Sequence, residues 1–242
     1  MKLIKFILLK AYMVWVFLVF TVFMLIFLPL IVIPIVLGQR FGNVTYFGLW
    51  LWSWVFSKLT FIRYEILGKE NLTAGQSYIY ASNHTSFLDL PGLRLAIPTQ
   101  FRPLAKKELL KIPVFGLIAK VTTVVVDRSS NESRKSSIQT LKKHISSGLS
   151  LLIFPEGTQN RTKEPLQPFY DGAFRLAKET QTPIMPIVVI NAGKLMPPST
   201  IDLRPGKIKV IFGKVIDTND SSVISELKQE TYTQMLSILD KG

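Results

Sequence analysis

Residues 11–38 carry no charge and consist almost wholly of Val, Phe, Leu and Ile. That run most constrains the fold. About 20 apolar residues let a helix cross the hydrocarbon core of a bilayer, and this stretch is longer. It is also too long for a signal peptide, and no small-residue cleavage pattern follows Gly38. Pro29 and Pro34 should kink or stop the helix, so its regular part is expected from about residue 3 to 28. A turn at 39–43 precedes a second apolar stretch, 45–62, rich in Tyr46, Trp50, Trp52 and Trp54, side chains that favour the headgroup boundary. Two arrangements fit: a spanning hairpin, or two helices partly sunk in one leaflet. The short aromatic second helix favours the leaflet form slightly. A buried helix pair in a soluble core would need far shorter helices.

Charge supports a membrane setting. Residues 1–62 hold five basic residues (Lys2, Lys5, Lys10, Arg40, Lys58) and no acidic one. Only Arg40 lies between the two apolar stretches, which puts both ends of the pair on the cytoplasmic side. The whole chain of 242 residues has 29 Lys+Arg against 16 Asp+Glu, a net +13, with 48% hydrophobic residues. A basic, apolar chain points to an anionic membrane surface before nucleic acid. No nucleic-acid recognition motif is present, and the charges are scattered. Cysteine is absent, which excludes disulfides, thiolate nucleophiles and Cys-based zinc sites.

From residue 63 the pattern changes. Short apolar runs at 62–67, 78–81, 123–126, 149–154, 184–190 and 207–212 read as strands. Helix-like segments at 87–96, 107–111 with 114–120, 132–147, 172–179 and 223–239 alternate with them, and 192–204 reads as an irregular loop. The expectation is an α/β fold: a mainly parallel or mixed sheet covered by helices, preceded by the pair of apolar membrane-associated helices. Residues 1–62 form the anchor and 63–242 the α/β domain.

Four segments could carry chemistry. In YIYASNHTSFLD (78–89) a strand delivers His84, and Asp89 follows five residues later. One regular helix would set these about 140° apart, so they meet only if His84 lies in a turn and Asp89 in the first turn of a helix capped by Ser86. A neutral imidazole oriented by a carboxylate lifts a proton from a hydroxyl near neutral pH. The alternative is a capping box, with Asp89 serving backbone N–H groups. FPEGT (154–158) flanks a carboxylate with Pro and Gly. Glu156 could accept from a substrate hydroxyl or orient an arginine, and Gly157 permits close approach; the alternative is a plain polar turn. The cations Arg128, Lys106, Lys107 and Arg161 suit phosphate oxygens, or are solvated surface charges. His144 reads as a surface residue near a helix C-terminus.

In order, NHTSFLD, LAKKEL (104–109) with VVDR (125–128), FPEGT and PIMP (183–186) resemble the four blocks of the glycerolipid acyltransferases, in particular the bacterial lysophosphatidic acid acyltransferases. The resemblance implies transfer of a fatty acyl group from a thioester to the sn-2 hydroxyl of lysophosphatidic acid, giving phosphatidic acid. It makes His84 the general base and Asp89 its orienter. Arg128 binds phosphate, with Lys106 as a second contact, and Glu156, Gly157 and Thr158 place the glycerol headgroup. Gln159 and Asn160 stand where the family often has Arg-Ser, so Arg161 is carried as a candidate only. The implied partners are an anionic membrane lipid, the membrane surface, and acyl-CoA or acyl carrier protein as donor. No bound cofactor or metal is implied. Glycerol 3-phosphate or another lysophospholipid is the alternative acceptor, and a non-catalytic lipid-binding protein the alternative class.

Overall fold

The structure is a computed structural model that describes residues 2–126, 131–198 and 200–241. Eight α-helices and seven strands are described: α1 (Lys2–Leu37), α2 (Gly42–Leu59), β1 (Ile62–Leu67), β2 (Ile79–Ser82), α3 (Asp89–Ala96), β3 (Phe101–Lys106), α4 (Phe115–Thr122), β4 (Val124–Val126), α5 (Asn131–Ser146), β5 (Ser150–Ile153), α6 (Gly172–Thr180), β6 (Ile184–Ile190), α7 (Ala192–Leu195), β7 (Gly206–Phe212) and α8 (Ile224–Lys241). The strand order in the sheet is β1-β7-β6-β2-β5-β3-β4. β2 pairs in parallel with β5 and β6, and β3 in parallel with β5 and β4. One antiparallel bridge joins Ile184 to Ile216. The expected α/β fold with a mostly parallel sheet and a long apolar leading helix is therefore present.

Four expectations change, one being that the segment 192–204, read as an irregular loop, opens with the short helix α7. The first helix does not stop near residue 28 but runs through Pro29 and Pro34 to Leu37. Each proline removes one N–H donor, whereas leaving the helix inside an apolar segment would unpair many backbone groups. Phe101–Lys106 forms a strand that sequence pattern did not reveal, because Arg102 and Pro103 interrupt any alternation. The segment Lys107–Lys111 is a 3-10 turn rather than an α-helix.

Contacts divide the chain into two compact units: Met1–Ile66 with Thr85–Pro98 and Val189–Val210, and Leu67–His84 with Thr99–Val188 and Ile211–Gly242.

In the first unit α1 packs on α2. The Phe20 ring meets Trp52 edge-on at 5.2 Å, and the Tyr12 hydroxyl and Trp15 indole donate to the carbonyls of Thr60 and Leu59. Much of α1 is left uncovered: Leu3, Phe17 and Val36 are about 70% exposed. Phe6–Leu37 is long and apolar enough to cross a membrane, with mean hydropathy 3.1. α2 also supports α3, since Arg94 donates to the Tyr46 carbonyl and lies over its ring. Gly92 on α3 lets Tyr64 lie close; an added Cβ would sit 2.7 Å from the ring. Gly92→Ala should therefore cost about 1–3 kcal/mol through overpacking, read as a fall in Tm, and should disturb the bond from the Tyr64 hydroxyl to the Leu88 carbonyl.

The second unit has a dry centre. Tyr80, Leu151, Leu152, Met185 and Phe174 are fully buried. Strands covered on both faces show unbroken burial, as β2 and β5 do, which is why they read as continuous apolar runs rather than alternating ones. α8 closes on the segment that leads into α6, through Phe169 against Tyr232 and an ion pair from Lys228 to Asp171.

Candidate active site

In the second unit, β2 and β5 run side by side in parallel with Ala81 opposite Ile153. Their carboxyl ends therefore finish at the same level, and in open parallel sheets ligands bind beyond those ends. His84 follows β2 and Phe154 follows β5. The imidazole stacks on the Phe154 ring, with centroids 4.1 Å apart and planes 19° apart. The stack limits the tilt of a half-buried ring.

The loop after β5 grips the backbone of His84 on both of its polar groups. The His84 N–H donates to Oε1 of Glu156 at 3.0 Å. The His84 carbonyl accepts from the Asn160 N–H at 2.6 Å. The other carboxylate oxygen of Glu156 accepts from the Gln167 N–H at 2.9 Å. Glu156 is 3% exposed. Burial pushes its carboxyl upward, and the backbone bonds from Gln167 and His84 pull it back. One oxygen thus serves the turn that carries His84, and the other serves the loop after β5 to which Glu156 itself belongs. Gly157 makes the corner with φ +73°, and its N–H donates to the Phe154 carbonyl. Asn160 braces the loop further, accepting from Thr162 and donating to the Glu164 carbonyl.

In the first unit, α3 begins at Asp89, three residues after the expected cap at Ser86. Asp89 is fully buried. Its Oδ2 accepts from the N–H groups of Thr85 and Ser86 at 2.8 and 2.9 Å. Ser86 Oγ accepts from the Leu88 N–H and donates to the Met196 carbonyl. Asp89 therefore serves backbone N–H groups of the turn ahead of α3 rather than closing a capping box with Ser86 as the cap, and its negative charge stands at the positive end of α3. Burial, then the charge of Asp89, push the Tyr64 phenol well above its ordinary range, so Tyr64 stays a neutral donor.

The remaining candidates are more open. Lys106 is exposed at the end of β3, and Thr158 and Arg161 are exposed in the loop after Gly157. Arg128 lies outside the described residues. Among the described residues, no group of three or more His, Asp or Glu is placed to hold a metal ion. Sequence reasoning missed the structural parts of Asn160 and Gln167, which act on His84 and on Glu156 through backbone N–H groups that leave no side-chain signal. It also missed the Phe154 ring, which it read only as the strand end.

A family model described as Acyltransferase matches residues 63–190. The chain is similar to the chloroplastic 1-acyl-sn-glycerol-3-phosphate acyltransferase BAT2 of Brassica napus, 29% identical over 78% of this chain and 55% of the relative. It is 31% identical to the 1-acyl-sn-glycerol-3-phosphate acyltransferase of Cocos nucifera over 91% of this chain and 68% of the relative. The chain thus spans about half the length of the Brassica protein. Its fold matches the crystal structure of the 1-acyl-sn-glycerophosphate (LPA) acyltransferase PlsC from Thermotoga maritima with a TM-score of 0.82 at 19% identity, covering 100% of this chain and 97% of the other.

Proposed function

The chain belongs to the acyltransferase family, and on that premise we propose that it moves a fatty acyl group from a thioester to the sn-2 hydroxyl of lysophosphatidic acid. The observation that carries this reading is the grip of Glu156 and Asn160 on the backbone of His84, inside the span matched by the family model. A residue whose N–H, carbonyl and ring are all held is pre-organised for one task.

In the proposed reaction the imidazole of His84 takes the proton of the sn-2 hydroxyl as the oxygen attacks the thioester carbonyl. Asp89 holds the ring tautomer and stabilises the imidazolium. Backbone N–H groups hold the oxyanion of the tetrahedral intermediate. Collapse forms the ester and breaks the C–S bond, and the thiolate recovers the proton from His84. The acceptor alcohol is itself the nucleophile, so neither a serine nor a cysteine nucleophile is needed. Arg128, Lys106 and Arg161 are the proposed phosphate contacts, with Gly157 and Thr158 at the headgroup. The donor is acyl-CoA or acyl carrier protein. The uncovered face of α1 supports attachment to the membrane, and the basic flanks of the helix pair support a cytoplasmic-facing catalytic domain.

Glu156 is proposed as a positioning residue. Glu156→Gln would set an amide NH₂ against one of two backbone N–H donors and leave a buried donor unsatisfied, a cost of about 1–3 kcal/mol. The expected result is a lower Tm and a fall in kcat with little change in KM, measured by thermal melts and initial rates. A rise in KM at constant kcat would instead mean that Glu156 touches the acceptor.

The substrate assignment is tested with a panel of acceptors and one acyl donor. Lysophosphatidic acid should outrun glycerol 3-phosphate and other lysophospholipids. Preference for one of those would keep the chemistry and reassign the acceptor.

A further inference from the structure

We propose that residues 107–120 form a lipid-contact surface of their own, which meets an anionic bilayer in addition to the apolar N-terminal helices. This surface belongs wholly to the second unit. It follows β3, runs through the 3-10 turn Lys107–Lys111 and continues into α4. Three large aliphatic side chains stand out in the solvent within eight residues: Leu110 (37% exposed), Ile112 (47%) and Leu117 (46%). Isolated exposed apolar side chains are ordinary on a protein surface. Here they are interleaved with Lys107, Lys111 and Lys120, all exposed, against the single acid Glu108.

The backbone keeps these side chains outward. Val114 adopts φ 63°, ψ −56°, and the Phe115 N–H donates to the Pro113 carbonyl at 2.6 Å. That is a γ-turn of the strained hand, which a β-branched residue rarely accepts. In the first turn of α4, Gly116 allows close approach to the 3-10 turn, since an added Cβ would collide with the Leu110 carbonyl. On α4 itself Gly116, Ile118, Ala119 and Thr122 are buried, while Leu117 and Lys120 share the open side. A strained turn that displays aliphatic tips among lysines has little to offer the fold. It suits a headgroup layer, where aliphatic tips enter the acyl boundary and lysine stems lie flat with their ammonium groups among lipid phosphates. Each such lysine gains from the negative surface potential of anionic lipid. An acidic protein would match the lysines but would leave the aliphatic tips without a partner.

The absence of cysteine makes a direct test available. Single-cysteine variants Ile112→Cys and Leu117→Cys of the full chain carry an environment-sensitive fluorophore, with Gln139→Cys on the exposed side of α5 as control. The protein is placed on vesicles of phosphatidylcholine, with or without phosphatidylglycerol, that contain a lipid-borne quencher. The expected result is quenching at residues 112 and 117 several-fold above the control on phosphatidylglycerol vesicles. It should fall to the control level when Lys111→Glu and Lys120→Glu are added. Three results would overturn the proposal: quenching no greater than the control, quenching indifferent to lipid charge and to charge reversal, or shielding by an acidic carrier protein with none by lipid. Acyl transfer is not the readout, so the outcome does not depend on the proposed reaction.

Discussion

His84→Ala is expected to lower the acyl-transfer rate by about 10²–10⁴-fold, the usual contribution of a positioned acid–base group, while the protein still folds. The fold should tolerate the change because the main-chain grip survives it. The N–H to Glu156 and the carbonyl from Asn160 belong to the backbone of residue 84, and alanine keeps both. What is lost is the imidazole and its stack on Phe154. Initial rates beside a thermal melt separate the two effects. A variant with native Tm and near-native turnover would remove His84 from the mechanism.

Asp89 should show two separable losses. Asp89→Ala removes the acceptor of the Thr85 and Ser86 N–H groups in a fully buried place. Each stranded donor costs about 1–3 kcal/mol, so this variant should lose several kcal/mol and unfold readily. Asp89→Asn retains a side-chain oxygen that can accept those N–H groups. It loses the charge that would stabilise an imidazolium and enforce the tautomer, and its rate should fall by roughly 10⁴-fold by analogy with carboxylate-to-amide changes in catalytic triads. Chemical denaturation of both variants, with rates for the asparagine form, checks this. If Asp89→Asn kept full activity while Asp89→Ala unfolded, Asp89 would be only a helix cap.

Much of the fold was legible because parallel strands buried on both faces leave continuous apolar runs. That is how β2, β5 and β6 stood out. β3 did not, since Arg102 and Pro103 give it neither an apolar run nor an alternation. The length of α1 was underestimated because a proline rule drawn from water-exposed helices was applied to an apolar one. His84 and Asp89 stood out as candidates by residue type and spacing. The role of Glu156 could not. Its carboxylate reaches back to a backbone N–H 72 positions earlier, and a contact set by the register of β2 on β5 has no sequence period. Ser86 was expected to cap α3, but the helix starts at Asp89 with Leu88 at the cap position; Ser86 Oγ instead accepts from the Leu88 N–H in the turn ahead of it, and Asp89 receives the N–H groups of Thr85 and Ser86.

The most direct measurement supplies the purified protein in vesicles with lysophosphatidic acid acylated at sn-1 and an isotopically labelled acyl thioester, as acyl-CoA and as acyl carrier protein in turn, and locates the label by mass spectrometry. The account predicts phosphatidic acid with the label at sn-2, with at least one of the two donors. Label at another position, or no labelled phosphatidic acid with either thioester while the protein is folded and membrane-bound, would contradict it.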